Sequence, residues 1–158
     1  YVFSGESCVP YTETDAVAPR TAYGRTKRKG EVLLQAASPE SIIIRTAWLY
    51  STFGNNFVKT MLRLGQERET LGVVFDQIGS PTYAADLATV IFAAINSPEW
   101  HAKIVSCQLR PILSSEYQYQ TPRPHFSVLN KNKIKQTFGI TIPHWTDSLQ
   151  VCLEKLLQ

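Results

Sequence analysis

Tyr23 and Lys27 stand four residues apart in the run Tyr23-Gly24-Arg25-Thr26-Lys27. On a helix this spacing puts both side chains on one face, within reach of a shared ligand. A free tyrosine has a pKa near about 10, so proton transfer from a phenol at neutral pH calls for a nearby positive charge. Lys27 supplies one. Beside a cofactor that delivers hydride, such a pair protonates a carbonyl oxygen as the carbonyl is reduced. The plain alternative is a packed tyrosine ring and a solvated lysine, and a pair at this spacing recurs by accident, so the surroundings have to decide.

The elements that must position the pair are legible. Pro19 and a Thr21 N-cap open a helix over Ala22–Ala37, made of good helix formers except Gly24 and Gly30. Two glycines there imply close approach of a neighbour. Tyr1–Phe3 reads as the end of a buried strand, and residues 4–20 as a polar loop carrying Gly5, Pro10 and Pro19. Ser41–Thr46 holds three consecutive isoleucines, the apolar run expected of a parallel strand covered on both faces. A second helix over Asn55–Arg68, a short strand over Leu71–Phe75 and a strongly apolar helix over Ala84–Asn96 follow. Further on, the pattern allows a strand at Ile104–Cys107, a helix Asn130–Phe138 capped by Asn130, and a terminal helix Thr146–Leu157. This alternation is α/β. No repeat or low-complexity tract interrupts it.

Several polar and aromatic residues fall where such folds bind ligands. Trp48 follows the Ser41–Thr46 strand at its carboxyl end, where an indole stacks on a ring or plugs the space between sheet and helix. Arg45, just before it, is suited to pairing with a carboxylate within the fold. Asn55 and Asn56 open a helix, where free amides and the helix dipole favour an anion, although capping alone explains one of them. Gln77-Ile78-Gly79-Ser80-Pro81-Thr82 forms a compact turn in which Gln77 and Thr82 offer polar groups, and Asp86 belongs to the first turn of the next helix. Arg123, between Pro122 and Pro124, sits on a stiff stretch that lowers the cost of fixing a guanidinium on phosphate; the alternative is a solvated surface arginine.

Composition narrows the field. With 158 residues, 44% hydrophobic and 18% charged, the chain is about one ordinary globular domain. Sixteen basic and thirteen acidic residues leave a dispersed net charge of +3, which does not indicate nucleic-acid binding. Cys8, Cys107 and Cys152 are odd in number and widely spaced, which suggests neither a disulfide framework nor a zinc site and fits a reducing cytoplasm. His101, His125 and His144 have no metal-ligand spacing, so no metal is expected. Apolar runs fall well short of the ~20 residues that cross a bilayer, and the start reads as neither a signal peptide nor a native terminus.

Taken in order, Tyr1-Val2-Phe3-Ser4-Gly5, Pro10-Tyr11-Thr12-Glu13, Tyr23-Gly24-Arg25-Thr26-Lys27 with Gly30-Glu31, and Arg45-Thr46-Ala47-Trp48-Leu49-Tyr50 resemble the extended short-chain dehydrogenase/reductases. Asn55-Asn56-Phe57-Val58, Asp76-Gln77-Ile78-Gly79-Ser80-Pro81-Thr82 and Pro122-Arg123-Pro124 with Ser127 narrow the likeness to the dTDP-4-dehydrorhamnose reductase branch, over most of the chain. The resemblance implies the trailing part of a Rossmann-like doubly wound sheet over residues 1–50 and a smaller α/β substrate-binding region over 51–158. The helix 84–96 would pack back on the Rossmann sheet. It implies NADPH-dependent (or NADH-dependent) reduction of the C4 keto group of a nucleotide-linked sugar, with Tyr23 and Lys27 catalytic. Tyr23, Lys27 and Thr46 would lie on the cofactor, and Trp48, Asn56, Gln77, Thr82 and Arg123 on the nucleotide-sugar. It allows a homodimer and involves no nucleic acid or membrane.

No Gly-x-Gly-x-x-Gly or Gly-x-x-Gly-x-x-Gly turn follows a strand in these residues, so the pyrophosphate cradle is not among them. The family's catalytic Ser/Thr would fall just before Tyr1. The chain thus reads as a C-terminal portion, expected to bind NADPH poorly and to reduce little by itself. Between Asn96 and Lys103 only a few residues stand where the family has a strand, a Ser-Trp turn and a helix. A non-catalytic regulatory or binding subunit is the competing reading; relatives of that kind tend to lose the Tyr/Lys pair, which is present here. An epimerase or dehydratase on the same scaffold is disfavoured by the Asp76–Thr82 run.

Overall fold

In a computed structural model of the protein, the described residues are 1–74, 76–97 and 126–158. They form five helices and one small parallel sheet: α1 (Ala22–Ala37), β1 (Leu49–Tyr50), α2 (Phe57–Glu67), β2 (Thr82–Tyr83), α3 (Ala84–Ile95), α4 (Asn132–Phe138) and α5 (Trp145–Leu156).

Helix boundaries follow local chemistry. Thr21 caps α1, its hydroxyl accepting from the Gly24 N–H at 2.9 Å, and Asn56 caps α2 by accepting from the Lys59 N–H at 3.2 Å. Asn130 Oδ1 accepts the Asn132 N–H at 2.8 Å, which satisfies an otherwise orphaned donor at the start of α4. Gly139 ends that helix in the left-handed region, at φ 61°.

Strands β1 and β2 pair in parallel, Leu49 with Thr82 and Tyr50 with Tyr83. Behind them the Tyr50 and Tyr83 rings stack with centroids 5.3 Å apart and pack with Cys152 of α5, joined by Val58, Leu149 and Leu156. Burial pushes the Tyr50 hydroxyl up to about 12, so it stays neutral, and it donates to the Trp145 carbonyl at 3.5 Å. Ser148, buried on α5, donates to the Asp86 carboxylate in the first turn of α3 and ties the two helices. A second core holds Val2, Phe3 and Tyr11, with the Phe3 and Tyr11 rings stacked at 4.4 Å.

Residues 126–130 join these halves. Phe126 N–H donates to the Gly5 carbonyl at 3.1 Å and Ser127 N–H to that of Ile78 at 2.8 Å, while Tyr11 N–H reaches Val128 and Asn130 N–H reaches Tyr11. One extended segment thus pins the loop after Phe3 to the turn before β2.

Three expected strands form no ladder among the described residues. Ser41–Thr46 is half-buried to exposed and in no ladder, Val2 and Phe3 are buried beside a half-buried Tyr1 but form no strand, and 71–74 is irregular with Val73 and Val74 more than half exposed; Phe75 lies outside the described residues. An apolar run reports faces that can be covered, whereas a strand exists only where a neighbour supplies its hydrogen bonds. Gly30 also differs from expectation, because a methyl group there would meet nothing within 4 Å. The Ile104–Cys107 segment lies outside the described residues.

Candidate active site

Helix α1 delivers Tyr23 and Lys27 to one cleft of about 340 Å³, which Thr46 also lines. The Tyr23 ring meets Tyr1 edge-on, centroids 5.5 Å apart, and the Lys27 ammonium stands 5.4 Å from the Tyr23 ring centroid. The pair therefore converges on the same opening. Phe126, Ser127 and Leu129 belong to the lining too, so the segment that joins the two cores also bounds the cleft.

At its floor, Arg45 Nε and Nη2 donate to the two oxygens of Glu31 at 2.8 and 2.7 Å, and Arg28 Nη1 adds a third bond at 3.1 Å. The Arg45 bonds hold the Glu31 carboxyl below its ordinary range against the opposing push of burial, and the same bonds raise Arg45. A carboxyl depressed in the folded state stabilises fully above its unfolded pKa, and that stabilisation fades as pH falls through the folded value. The urea midpoint of the wild-type protein should accordingly drop on acidification below the normal carboxylate range, and the Glu31→Gln variant should show a smaller drop. Equal drops in the two would remove Glu31 as the source.

Trp48 lies next to the cleft-lining Ala47 and takes φ 48°, a left-handed conformation that is rare for a bulky residue, costs of order 1–3 kcal/mol and concentrates at ligand sites. Its indole packs on the backbone of the Gln77–Thr82 turn: a methyl group on Gly79 would come within 2.6 Å of the ring and of the Ser127 hydroxyl. The Thr82 N–H donates to the Trp48 carbonyl at 3.1 Å. Trp48 and the turn are thus brought together. Thr82 and Thr46 share the lining of a smaller cavity of about 110 Å³ beside the first.

Gln77 is half-buried and lines neither cavity, and Asn56 lines neither, since its amide is committed to capping α2 and to the Ser51 carbonyl at 2.7 Å. Arg123 lies outside the described residues. Sequence reasoning gave no role to Phe126 and named Ser127 only among the residues that carry the family likeness; both reach the cleft through pairing with Gly5 and Ile78. For Glu31 a signal did exist in its spacing, one turn beyond Lys27. Among the described residues no cluster of three potential metal ligands occurs, and no helix is long and apolar enough to cross a membrane.

Fold and cleft together define an α/β domain in which a tyrosine–lysine pair lines one cleft. The family described as RmlD substrate binding domain matches residues 1–107 and 99–158. The spore coat polysaccharide biosynthesis protein SpsK of Bacillus subtilis is 37% identical over 98% of this chain, which covers 62% of that relative. A crystal structure of a dTDP-4-dehydrorhamnose reductase from Clostridium acetobutylicum superposes with a TM-score of 0.82 at 36% identity, over 100% of this chain and 64% of that one. A dTDP-4-dehydrorhamnose reductase from Bacillus anthracis, solved in complex with NADP, gives 0.80 at 32% identity over 98% of this chain and 61% of its own. The chain belongs to the RmlD substrate-binding domain family, and it spans a little over three fifths of the length of these relatives.

Proposed function

We propose that this chain is the substrate-binding portion of an NADPH-dependent reductase that converts dTDP-4-dehydro-L-rhamnose to dTDP-L-rhamnose. The observation that carries the reading is the convergence of Tyr23, Lys27 and Thr46 on one cleft. The donor set fits the ribose end of a nicotinamide cofactor, since an ammonium and hydroxyls offer the hydrogen bonds that ribose hydroxyls exchange. When bound, NADPH supplies the hydride that the C4 carbon of the sugar receives.

The chain's own residues do the rest. Tyr23 donates its phenolic proton to the C4 oxygen as negative charge develops there. Lys27 holds the ribose hydroxyls, and its positive charge stabilises the phenolate that remains. Thr46 hydrogen-bonds beside them. Trp48, strained and set against the Gly79 turn, offers an indole face to the sugar, while Gln77 and Thr82 offer polar groups along the same edge. The free backbone N–H groups at the start of α2, which Asn56 opens, and the Arg123 guanidinium meet the diphosphate.

The rest of the reductase, on this reading, packs over apolar surface exposed here, Val32, Leu33 and Leu34 of α1 and Phe92 of α3, and over the half-buried 42–44 run. Residues 1–50 then complete a Rossmann-like sheet, with α3 against it, and the reaction runs in the cytoplasm. The test is NADPH oxidation with dTDP-4-dehydro-L-rhamnose. The full-length protein should turn over, and the isolated 158-residue chain should bind NADPH weakly and turn over little or not at all. Normal turnover by the isolated chain would refute its being a portion, and a full-length protein inert with this sugar would refute the substrate.

A further inference from the structure

We propose that Arg45 is a positioning residue: by occupying the carboxylate of Glu31, it keeps Lys27 turned toward Tyr23. The proposal rests on the Tyr23–Lys27 reading of the cleft. Tyr23, Lys27 and Glu31 follow one another at intervals of four along α1, so they form a single stripe on its surface. Glu31 is the only acidic residue of that helix. A lysine and a glutamate at this spacing attract each other, and a pair formed that way would draw the ammonium one turn along the helix, away from the tyrosine.

The structure shows a different pairing. Both Glu31 oxygens are taken by the Arg45 fork at 2.7 and 2.8 Å, one of them shared with Arg28 at 3.1 Å, while the Lys27 ammonium stands 5.4 Å from the centre of the Tyr23 ring. A two-bond guanidinium–carboxylate contact is stronger and more fixed in direction than anything a single ammonium forms. The Glu31 side chain is only 10% exposed, so water competes little for it. Arg45 is itself steadied, its guanidinium lying 5.1 Å over the Phe3 ring. Thr46, the next residue, faces the same cleft.

The experiment compares Arg45→Met, Glu31→Gln, the double variant and Lys27→Met in the full-length reductase, by steady-state kinetics and thermal melting. Arg45→Met should lower kcat by about tenfold or more, part of the ~10²–10⁴ that a general acid supplies. Glu31→Gln and the double variant should keep kcat within a few-fold of wild type despite lower melting temperatures, because the acceptor that captures Lys27 is gone. If the ion pair is merely a structural staple, the double variant will be as slow as Arg45→Met, and the proposal fails. Should Arg45→Met not fold, Glu31→Gln decides alone: a tenfold loss of kcat there overturns the proposal. Lys27→Met separates the two readings, since an unchanged kcat in that variant defeats the tyrosine–lysine assignment itself.

Discussion

Replacing Tyr23 with phenylalanine in the full-length reductase should lower kcat by about 10²–10⁴-fold, the range a positioned general acid contributes. KM for the nucleotide-sugar should change little. Phenylalanine retains the ring contacts, the edge-on approach to Tyr1 at 5.5 Å and the Lys27 ammonium at 5.4 Å. What it removes is the hydroxyl. Tyr11, which also lines the cleft, makes the natural comparison. Its hydroxyl accepts the Gly5 and Ser7 N–H groups at 3.0 and 3.1 Å, so Tyr11→Phe strands two backbone donors and should appear first as lost stability, roughly 1–3 kcal/mol for each donor left without a partner. A Tyr23→Phe enzyme with a near-normal rate would remove the proton-donor role, whatever the cleft's shape.

The parts of this site that were legible in the sequence are those fixed by neighbours along the chain. Thr21 three residues before Gly24, and Asn56 three before Lys59, are capping arrangements that any polar side chain of their kind adopts, and they set the starts of α1 and α2. Once α1 starts there, Tyr23 and Lys27 must share a face. The parts that could not be read depend on partners distant in sequence. The far wall of the cleft exists because residues 126–130 pair with Gly5, Tyr11 and Ile78. The isoleucines at 42–44 signal surface to be covered and say nothing of which strand lies alongside. Trp48 carries no glycine or asparagine signal for its positive φ; that conformation is set by the packing of the indole on Gly79 and the β1–β2 register. For Arg45 the type of partner was readable and its identity, fourteen residues back, was not.

Gly24 gives the second large effect, and here two physical terms oppose each other. Alanine is the better helix former by about 0.5–1 kcal/mol, so helix propensity alone predicts that Gly24→Ala stabilises the protein. The added methyl group, however, would lie 2.2 Å from the Tyr1 carbonyl oxygen and 3.0 Å from Pro19 Cβ. The first of these is backbone, so no rotamer change relieves it, and either α1 or the Tyr1–Phe3 segment has to move. Overpacking of this kind costs typically ~1–3 kcal/mol or more, which outweighs the propensity gain. The displaced segment carries Val2 and Phe3 of the core and the Tyr1 ring against Tyr23, so the loss of stability should come with a fall in turnover. Gly30, six residues along the same helix, is the control: nothing within 4 Å meets its methyl group, and Gly30→Ala should raise the urea midpoint by an amount worth ~0.5–1 kcal/mol. If both substitutions stabilise the protein, the close approach of Tyr1 to α1 is not what seats Tyr23 in the cleft.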